Sequence, residues 1–210
     1  MLYDITRTVT PHLAVWPGDA PYTVTPQLSL AAGASVNLTM MMLSPHTGAH
    51  ADAYYHYEPD GAHPATMPLG AYIGPARLVT VTKRDGPLQP EDFPTDALID
   101  VERLLIHSHV SELPDDQFPQ TFPYLSEDLI VYLVRQGTHL IGLDSPSVDA
   151  FDSTDLPCHH ALKRHNMVNL ECLCLRNVPD GDYELIALPL KLDEACGSPV
   201  RAVLRALNEE

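Results

Sequence analysis

The sequence predicts an α/β protein, with residues 1–210 forming a single β-rich domain around a mixed sheet or barrel-like core. The 210 residues are 45% hydrophobic and 19% charged, a balance that supplies one core of ordinary size. Segments of alternating apolar residues outnumber helical segments, which argues against a regular alternation of strands and helices. The 20 prolines and 11 glycines are spread between these segments, as is typical of short strands joined by tight turns.

Nine segments predict β-strands, because apolar and polar residues alternate in them and β-branched residues are frequent. In chain order they are residues 2–9, 22–30, 35–43, 76–82, 103–109, 139–143, 167–175, 183–192 and 199–204. Two segments predict helices. Ser126 precedes two acidic residues and an apolar run that stops at Gly137, which are the signals of a helix start and end. Residues 158–165 follow Pro157, and proline favours the first position of a helix.

The chain is strongly acidic, since 12 basic and 28 acidic residues give a net charge of −16. Such a surface repels phosphates and anionic lipids, so we expect neither nucleic acid nor a membrane as a partner. The sequence lacks a long apolar run, and its N-terminal residues lack the pattern of a signal peptide, which favours a cytoplasmic protein. The four cysteines Cys158, Cys172, Cys174 and Cys196 form no CxxC pair, and we expect them to be buried, reduced thiols.

Histidine is abundant, and its spacing is the first functional signal. Of 11 histidines, three stand with an aspartate in the pattern His46-x3-His50-x-Asp52-x3-His56. Imidazole nitrogens and carboxylate oxygens are the usual protein ligands of Zn²⁺ and Mn²⁺. A tight loop after the preceding strand could bring these side chains onto one ion. The spacing alone equally allows a polar loop whose histidines are only hydrogen-bonded.

A second cluster lies more than 100 residues further along the chain. His159 and His160 precede Glu171, which stands in an otherwise apolar strand. Glutamate is seldom fully buried unless it is paired or binds a metal, so His159 and Glu171 are candidate ligands, whereas His160 favours a structural role. The alternative places Glu171 on the solvent side of an edge strand. Asp144 and Asp149 could orient the histidines, although capping of turns is the commoner role of aspartate.

Taken in order along nearly the whole chain, these motifs resemble those of the cyclase-like metal hydrolases, and within that family the bacterial kynurenine formamidases. The family core HxGxHxDxxxH matches His46, Gly48, His50, Asp52 and His56. The remaining matches are residues 15–19, 142–149, the pair 159–160 with Glu171, and residues 182–191 and 198–205. One departure is Tyr54, which stands where the family usually has proline.

The resemblance implies a swivelling β/β/α fold, a homodimer, and two divalent ions per chain, zinc or alternatively manganese. It implies that the ligands are His46, His50, Asp52, His159 and Glu171, with the two carboxylates as the bridging candidates. His56 would then lie just outside the ligands as a proton shuttle, since a neutral imidazole can accept and return a proton near pH 7. Trp16 either stacks on an aromatic substrate or fills the core.

The function implied by the resemblance is the hydrolysis of a small molecule, N-formyl-L-kynurenine, to L-kynurenine and formate in tryptophan degradation. One alternative is a related binuclear-metal amidase that acts on another cyclic or aryl amide, such as isatin, or on a lactone. Another alternative is a protein that binds metal without turnover.

Overall fold

The computed structural model describes residues 1–207 of the chain. Its strands are short, and most connections between them are loops. Within residues 1–207 the strands are Leu2–Asp4 (β1), Thr23–Leu28 (β2), Leu38–Met42 (β3), His50–Asp52 (β4), Ile73–Thr80 (β5), Gly86–Leu88 (β6), Arg103–His107 (β7), Pro123–Leu125 (β8), Leu140–Leu143 (β9), Val168–Glu171 (β10), Gly181–Ile186 (β11), Gly197–Pro199 (β12) and Val203–Ala206 (β13). The α-helices in the same range are Glu127–Arg135 (α1) and Pro157–Arg164 (α2).

Nine strands of the described range form one mixed sheet in the order β1-β13-β11-β5-β7-β9-β10-β4-β12. The pairs β5·β7, β7·β9 and β9·β10 are parallel, and the strands on both sides of this centre pair antiparallel. The prediction of an α/β fold with a mixed sheet is therefore confirmed.

Apolar layers cover both faces of the sheet, as a parallel centre requires. On β7, Leu104 and Ile106 pack in the layer that contains the helices, whereas Leu105 lies in the layer on the opposite face. Helix α1 contributes the buried Leu129 and Leu133 to the first layer. Alternation along the strands thus places successive side chains in different cores.

Both helices begin and end close to the predicted positions. The Ser126 hydroxyl accepts a hydrogen bond from the Leu129 N–H at 3.1 Å, which confirms the predicted N-cap of α1. Helix α2 begins at Pro157 and ends at Arg164, one residue earlier at each end than predicted. In residues 1–207 neither helix combines the length and apolar character needed to cross a bilayer.

Several predicted strands are shorter in the structure. The segment 167–175 ends as a strand at Glu171, because Cys172 has a φ of 56° and a left-handed residue cannot continue a strand. Residues 2–9 pair only as β1, residues 183–192 only within β11, and residues 199–204 divide between β12 and β13. The three-residue strands β4, β6 and β8 were not predicted, since they are too short to show an alternating pattern.

Strands β2 and β3 form an antiparallel hairpin outside the main sheet, at the two segments predicted as strands. All of their residues are exposed, and apolar ones are frequent. Val24, Met40, Met41 and Met42 leave 44%, 59%, 66% and 57% of their surface accessible to solvent. We refer to Thr23–Met42 as the apolar hairpin.

The expectation of buried thiols is only partly met. Cys158 is buried, whereas Cys172, Cys174 and Cys196 are half-buried. For Cys172 and Cys174 the correction follows from local structure, since the left-handed residue Cys172 ends the strand that was predicted to contain both. All four are free of disulfide bonds.

Candidate metal centre

The edge of the main sheet brings the two sequence clusters together. Strand β4 lies between β10 and β12, so that His50 stands opposite Glu171 and Asp52 opposite Gly197. His159 approaches from α2, which precedes β10 in the chain. Residues more than 100 positions apart in the sequence therefore share one buried site.

Asp52 is the centre of the arrangement. Its Oδ1 lies 3.0 Å from His46 Nδ1 and 3.4 Å from His50 Nε2, and its Oδ2 lies 3.4 Å from His159 Nε2. Glu171, 4% exposed, completes the cluster, with its oxygens 3.5 Å from His50 Nε2 and 3.7 Å from His159 Nε2. The alternative of a solvent-facing Glu171 on an edge strand is wrong, because Glu171 is buried and β10 pairs with β9 on one side and with β4 on the other.

Two groups of three side chains have geometry suited to a metal ion. His46, His50 and Asp52 form one group, and Asp52, His159 and Glu171 form the other, with the ligand atoms of each group within 4.8 Å of one another. Asp52 belongs to both groups. A carboxylate has two oxygens and can span two ions, so the donor set suits a pair of cations that share Asp52.

The hydrogen bonds around the site leave the inward-facing atoms free. His50 Nδ1–H donates to the Gly48 carbonyl oxygen at 2.9 Å, and His159 Nδ1–H donates to Asp149 Oδ2 at 2.6 Å. Among the described residues, the buried atoms His50 Nε2 and Asp52 Oδ1 have no hydrogen-bond partner. Such orphaned buried atoms are costly and call for an explanation, and a cation between them satisfies both. The residues therefore fit a metal.

Asp149 both caps a helix and orients a histidine. Besides His159 Nδ1–H, its carboxylate accepts the backbone N–H groups of Cys158 at 2.9 Å and of His159 at 3.1 Å. The orientation of a histidine, one of the two roles considered from the sequence, thus occurs together with capping of a helix rather than of a turn. Asp144 instead accepts hydrogen bonds from the backbone and hydroxyl groups of Ser108 and Ser111, so it organises that loop.

Asn169 was missed by the sequence reasoning. Its amide nitrogen donates to Asp52 Oδ2 at 2.7 Å and to Glu171 Oε1 at 3.0 Å, which holds the two carboxylates side by side. The signal that could have found it is a polar amide two residues before Glu171 in an apolar strand, where the side chains of residues 169 and 171 share a face.

The electrostatics of the site follow from packing negative carboxylates among histidines. Burial disfavours a charged His46, but Asp52 and Cys196 outweigh burial and raise its pKa to about 9. Burial likewise opposes protonation of His159, while Asp149 and Asp52 raise its pKa to about 10. Despite its burial, Asp52 has a pKa well below the usual range, because the three histidines favour its charged form. Positive charge therefore stabilises the cluster, whether it comes from protons on the histidines or from metal ions.

His56 lies beside this cluster on the solvent side, at the end of the one-turn helix Tyr54–His56. Its ring centroid is 4.2 Å from that of His46 and 6.1 Å from that of His159. Tyr54, which stands where the family usually has proline, makes a hydrogen bond that proline could not make: its hydroxyl donates to the Met167 carbonyl oxygen at 3.0 Å. This bond ties down the loop that carries His56.

A cavity of about 600 Å³ opens onto the centre and is lined by Trp16, Phe118, His56 and Glu171 among others. The Trp16 ring packs edge-to-face on Phe118, with centroids 5.5 Å apart, and lies 5.1 Å from that of Phe151. Trp16 thus lies in the cavity wall rather than in either buried core. The predicted structural role of His160 agrees with its contact to Glu58 at 2.9 Å near the surface.

Cys196 also lines the cavity and was treated in the sequence only as a thiol. Its Sγ lies 3.2 Å from His46 Nε2. Hydrogen bonds with His46 and His56 lower the pKa of this thiol to about 6 despite partial burial. No sequence motif marks Cys196, because it lies 150 residues from His46 in the chain and only the pairing of the adjacent strand β12 with β4 brings the two together.

The chain is similar to known proteins over nearly its whole length. Residues 3–150 match the family model Cyclase, described as "Putative cyclase". The chain is 45% identical over 206 residues to the "Kynurenine formamidase" of Salinibacter ruber, with 97% of each chain covered.

Solved structures with the same fold include "The Structure Of Potential Metal-Dependent Hydrolase With Cyclase Activity", with a TM-score of 0.81, 25% identity, and 97% of this chain and 96% of that chain covered. An isatin hydrolase bound to the product analogue thioisatinate superposes with a TM-score of 0.82 at 22% identity, covering 97% of this chain and 91% of its own. The fold, the family match and the near-complete coverage agree, and the chain belongs to the Cyclase family, as an enzyme that hydrolyses an amide bond.

Proposed function

We propose that this protein hydrolyses N-formyl-L-kynurenine to L-kynurenine and formate in tryptophan degradation, with two divalent ions per chain. The observation that carries the proposal is the pair of metal-suited groups that share Asp52 at the base of an aromatic-walled cavity. The substrate is inferred from the name of the Salinibacter ruber relative, "Kynurenine formamidase", which is 45% identical to this chain.

His46, His50 and Asp52 would hold one ion, and Asp52, His159 and Glu171 would hold the other. Nitrogen and oxygen ligands of this kind favour zinc, with manganese as the alternative. When bound, the ions supply Lewis-acid chemistry and lower the pKa of water from 15.7 to about 7. Asn169 keeps the two carboxylates in place, and Asp149 fixes His159 with Nε2 facing the site.

His56 is the group placed to move the proton. Hydrolysis adds water across the C–N bond of the formamide, so one proton must pass from the attacking water to the aryl nitrogen that leaves. The His56 imidazole lies at the cavity wall beside His46, outside the two groups that share Asp52. It can accept the proton from water and return it to the nitrogen, which releases the amine and formate.

Trp16 and Phe118 line the part of the cavity that an aryl ring would occupy. Their edge-to-face packing fixes the Trp16 ring in the cavity wall. We therefore assign Trp16 to substrate binding.

The test is a pair of hydrolysis assays followed by absorbance, with N-formylkynurenine and isatin as substrates. Metal-depleted protein should be inactive, and two equivalents of Zn²⁺ or Mn²⁺ should restore hydrolysis of N-formylkynurenine. A preference for isatin would favour the cyclic-amide alternative. Metal binding without hydrolysis of either substrate would favour a protein without turnover.

We further propose a homodimer, supported by the apolar hairpin. Side chains as apolar as Met40 and Met42 are rarely left in water over a continuous patch. The double change Met40→Glu with Met42→Glu places two charges on one face of β3 and should give monomers in sedimentation experiments. Leu69→Glu, at an exposed leucine outside the hairpin, should leave the dimer intact. A wild-type protein that sediments as a monomer would contradict the proposal.

Two further expectations remain proposals. The free thiols support a reducing compartment such as the cytoplasm. The pairing of β1 with β13, near opposite ends of the chain, supports a single domain over residues 1–210.

A further inference from the structure

A third group of metal-ligating side chains lies at the wall of the cavity. The ligand atoms of His46, His56 and Cys196 are within 4.8 Å of one another. His46 and Cys196 are half-buried and His56 is exposed, so solvent reaches the group at least at His56. This third group differs from the other two because it contains a sulfur atom.

His46 belongs to this group and to the first one through opposite edges of its ring. Its Nδ1 lies 3.0 Å from Asp52 Oδ1, whereas its Nε2 lies 3.2 Å from Cys196 Sγ. The close approach of β12 depends on Gly197, since a Cβ there would come within 3.1 Å of His46 Cε1 and 3.0 Å of the Ala51 carbonyl oxygen. The imidazole thus separates the carboxylate-rich pair of sites from a nitrogen- and sulfur-rich one.

We propose that His46 Nε2, His56 and Cys196 form a third, inhibitory site for soft or borderline divalent ions such as Zn²⁺, Cd²⁺ and Co²⁺. A thiolate with two imidazoles leaves the fourth tetrahedral position open to the cavity. Thiolate ligands select these ions over Mn²⁺, which prefers oxygen ligands. An ion bound here would add to the two at Asp52, with His46 bridging through both ring nitrogens.

The protons and electron pairs in this step balance. The ion accepts a lone pair from each ligand, while the thiol proton of Cys196 and the remaining ring proton of His46 pass to solvent. No redox change occurs. The lone pair of His56 is then occupied, so His56 can no longer accept a proton from water. This consequence rests on the proposed function, in which His56 is the proton shuttle.

The first test measures binding and needs no activity. Equilibrium dialysis with Co²⁺ should give three ions per chain for the wild type and two for Cys196→Ser and Cys196→Ala. The third equivalent should bring a near-ultraviolet sulfur-to-cobalt charge-transfer band, which both Cys196 variants should lack. The control is Cys174→Ser. Cys174 is half-buried, and its backbone N–H donates to the Ile5 carbonyl oxygen, so this variant should keep the band.

Cys172 is the rival thiol, since it also lines the cavity. A band that disappears in Cys172→Ser but persists in Cys196→Ser would overturn the assignment. Saturation of the wild type at two ions, without a charge-transfer band, would overturn it as well.

The second test measures inhibition. Zn²⁺ added beyond two equivalents should lower kcat of the wild type by roughly 10²-fold or more, the scale of general acid–base catalysis. Excess Mn²⁺ should not inhibit. In Cys196→Ser the ratio of activities with and without excess Zn²⁺ should lie near one, and an unchanged inhibition in that variant would refute the inhibitory role. If the protein hydrolyses no formamide, the binding test still decides whether the third site exists.

Discussion

Replacing Asp149 by asparagine tests whether the side chain behind His159 controls metal affinity. Three donors converge on the Asp149 carboxylate: the His159 ring at 2.6 Å and two backbone N–H groups at 2.9 and 3.1 Å. Asparagine has one oxygen and an NH₂ group in place of two oxygens. Asparagine is also neutral, so His159 loses a charged acceptor in either orientation of the amide. The NH₂ group then faces either the His159 donors or the Cys158 N–H, and in either case α2 loses part of its cap.

The magnitude follows from the buried, charge-assisted bond. Asp149 and His159 are 1% and 3% exposed, and hydrogen bonds to charged groups contribute about 1.5–3 kcal/mol. The second ion is the one that Asp52, His159 and Glu171 would hold. At about 1.4 kcal/mol per factor of ten, its affinity should fall roughly 10- to 100-fold. Losses of this size are typical when a residue that orients a metal ligand is changed. The first ion, beside His46 and His50, should keep its affinity.

The assay is competition with a chromophoric chelator, which resolves the two dissociation constants. Asp152→Asn is the matched control, because it removes the same charge from an exposed residue near the start of α2, and it should change neither constant. Two ions bound by Asp149→Asn as tightly as by the wild type would refute the reasoning. Equal weakening by Asp152→Asn would attribute the effect to net charge.

Three other predictions concern the same centre. His56→Ala should keep both ions but lose kcat by about 10²-fold or more with little change in KM, and a metal-depleted variant in elemental analysis would instead make His56 a ligand. Glu171→Gln should lose both metal and activity in the same measurements, whereas Glu184→Gln, at a residue paired with Arg205, should lose neither. Metal uptake at pH 7 should release about three protons, because His46, His50 and His159 all have raised pKa values. In the metal-free protein, protonation of His46 and His159 stabilises the fold fully below about pH 6.5. That contribution is lost as the pH rises through their folded-state pKa values of about 9 and about 10. Calorimetry in buffers of different ionisation enthalpy counts the protons, and a heat independent of the buffer would contradict the expectation.

Local signals in the sequence were sufficient for the elements that depend on neighbouring residues. Ser126 and Gly137 mark α1 because capping and chain reversal are properties of a few consecutive residues. The spacing of His46, His50 and Asp52 predicted a candidate site for the same reason. The extent of β10 was not predictable, since the left-handed conformation of Cys172 has no signature in an apolar run.

Contacts between distant residues could not be predicted from composition or spacing. Asn169 and Cys196 reach the centre only because β4 pairs with β10 on one side and with β12 on the other. The neighbours of a strand are decided by the global order of the sheet, which local alternation does not encode. For Asp149 the sequence raised the relevant role, but only the fold shows that helix capping and histidine orientation occur together.

The position of β4 gives the metal a mechanical role. This three-residue strand joins β12 to the rest of the sheet, and its His50 and Asp52 belong to the same metal-suited groups as Glu171 on β10 and His159 on α2. Ions bound there act as cross-links that close a chain segment of more than 100 residues, which the metal-free protein must hold with a few backbone hydrogen bonds. Opening of this sheet edge and loss of the ions then become one event, so slow amide hydrogen exchange in β4 and β12 reports metal occupancy directly.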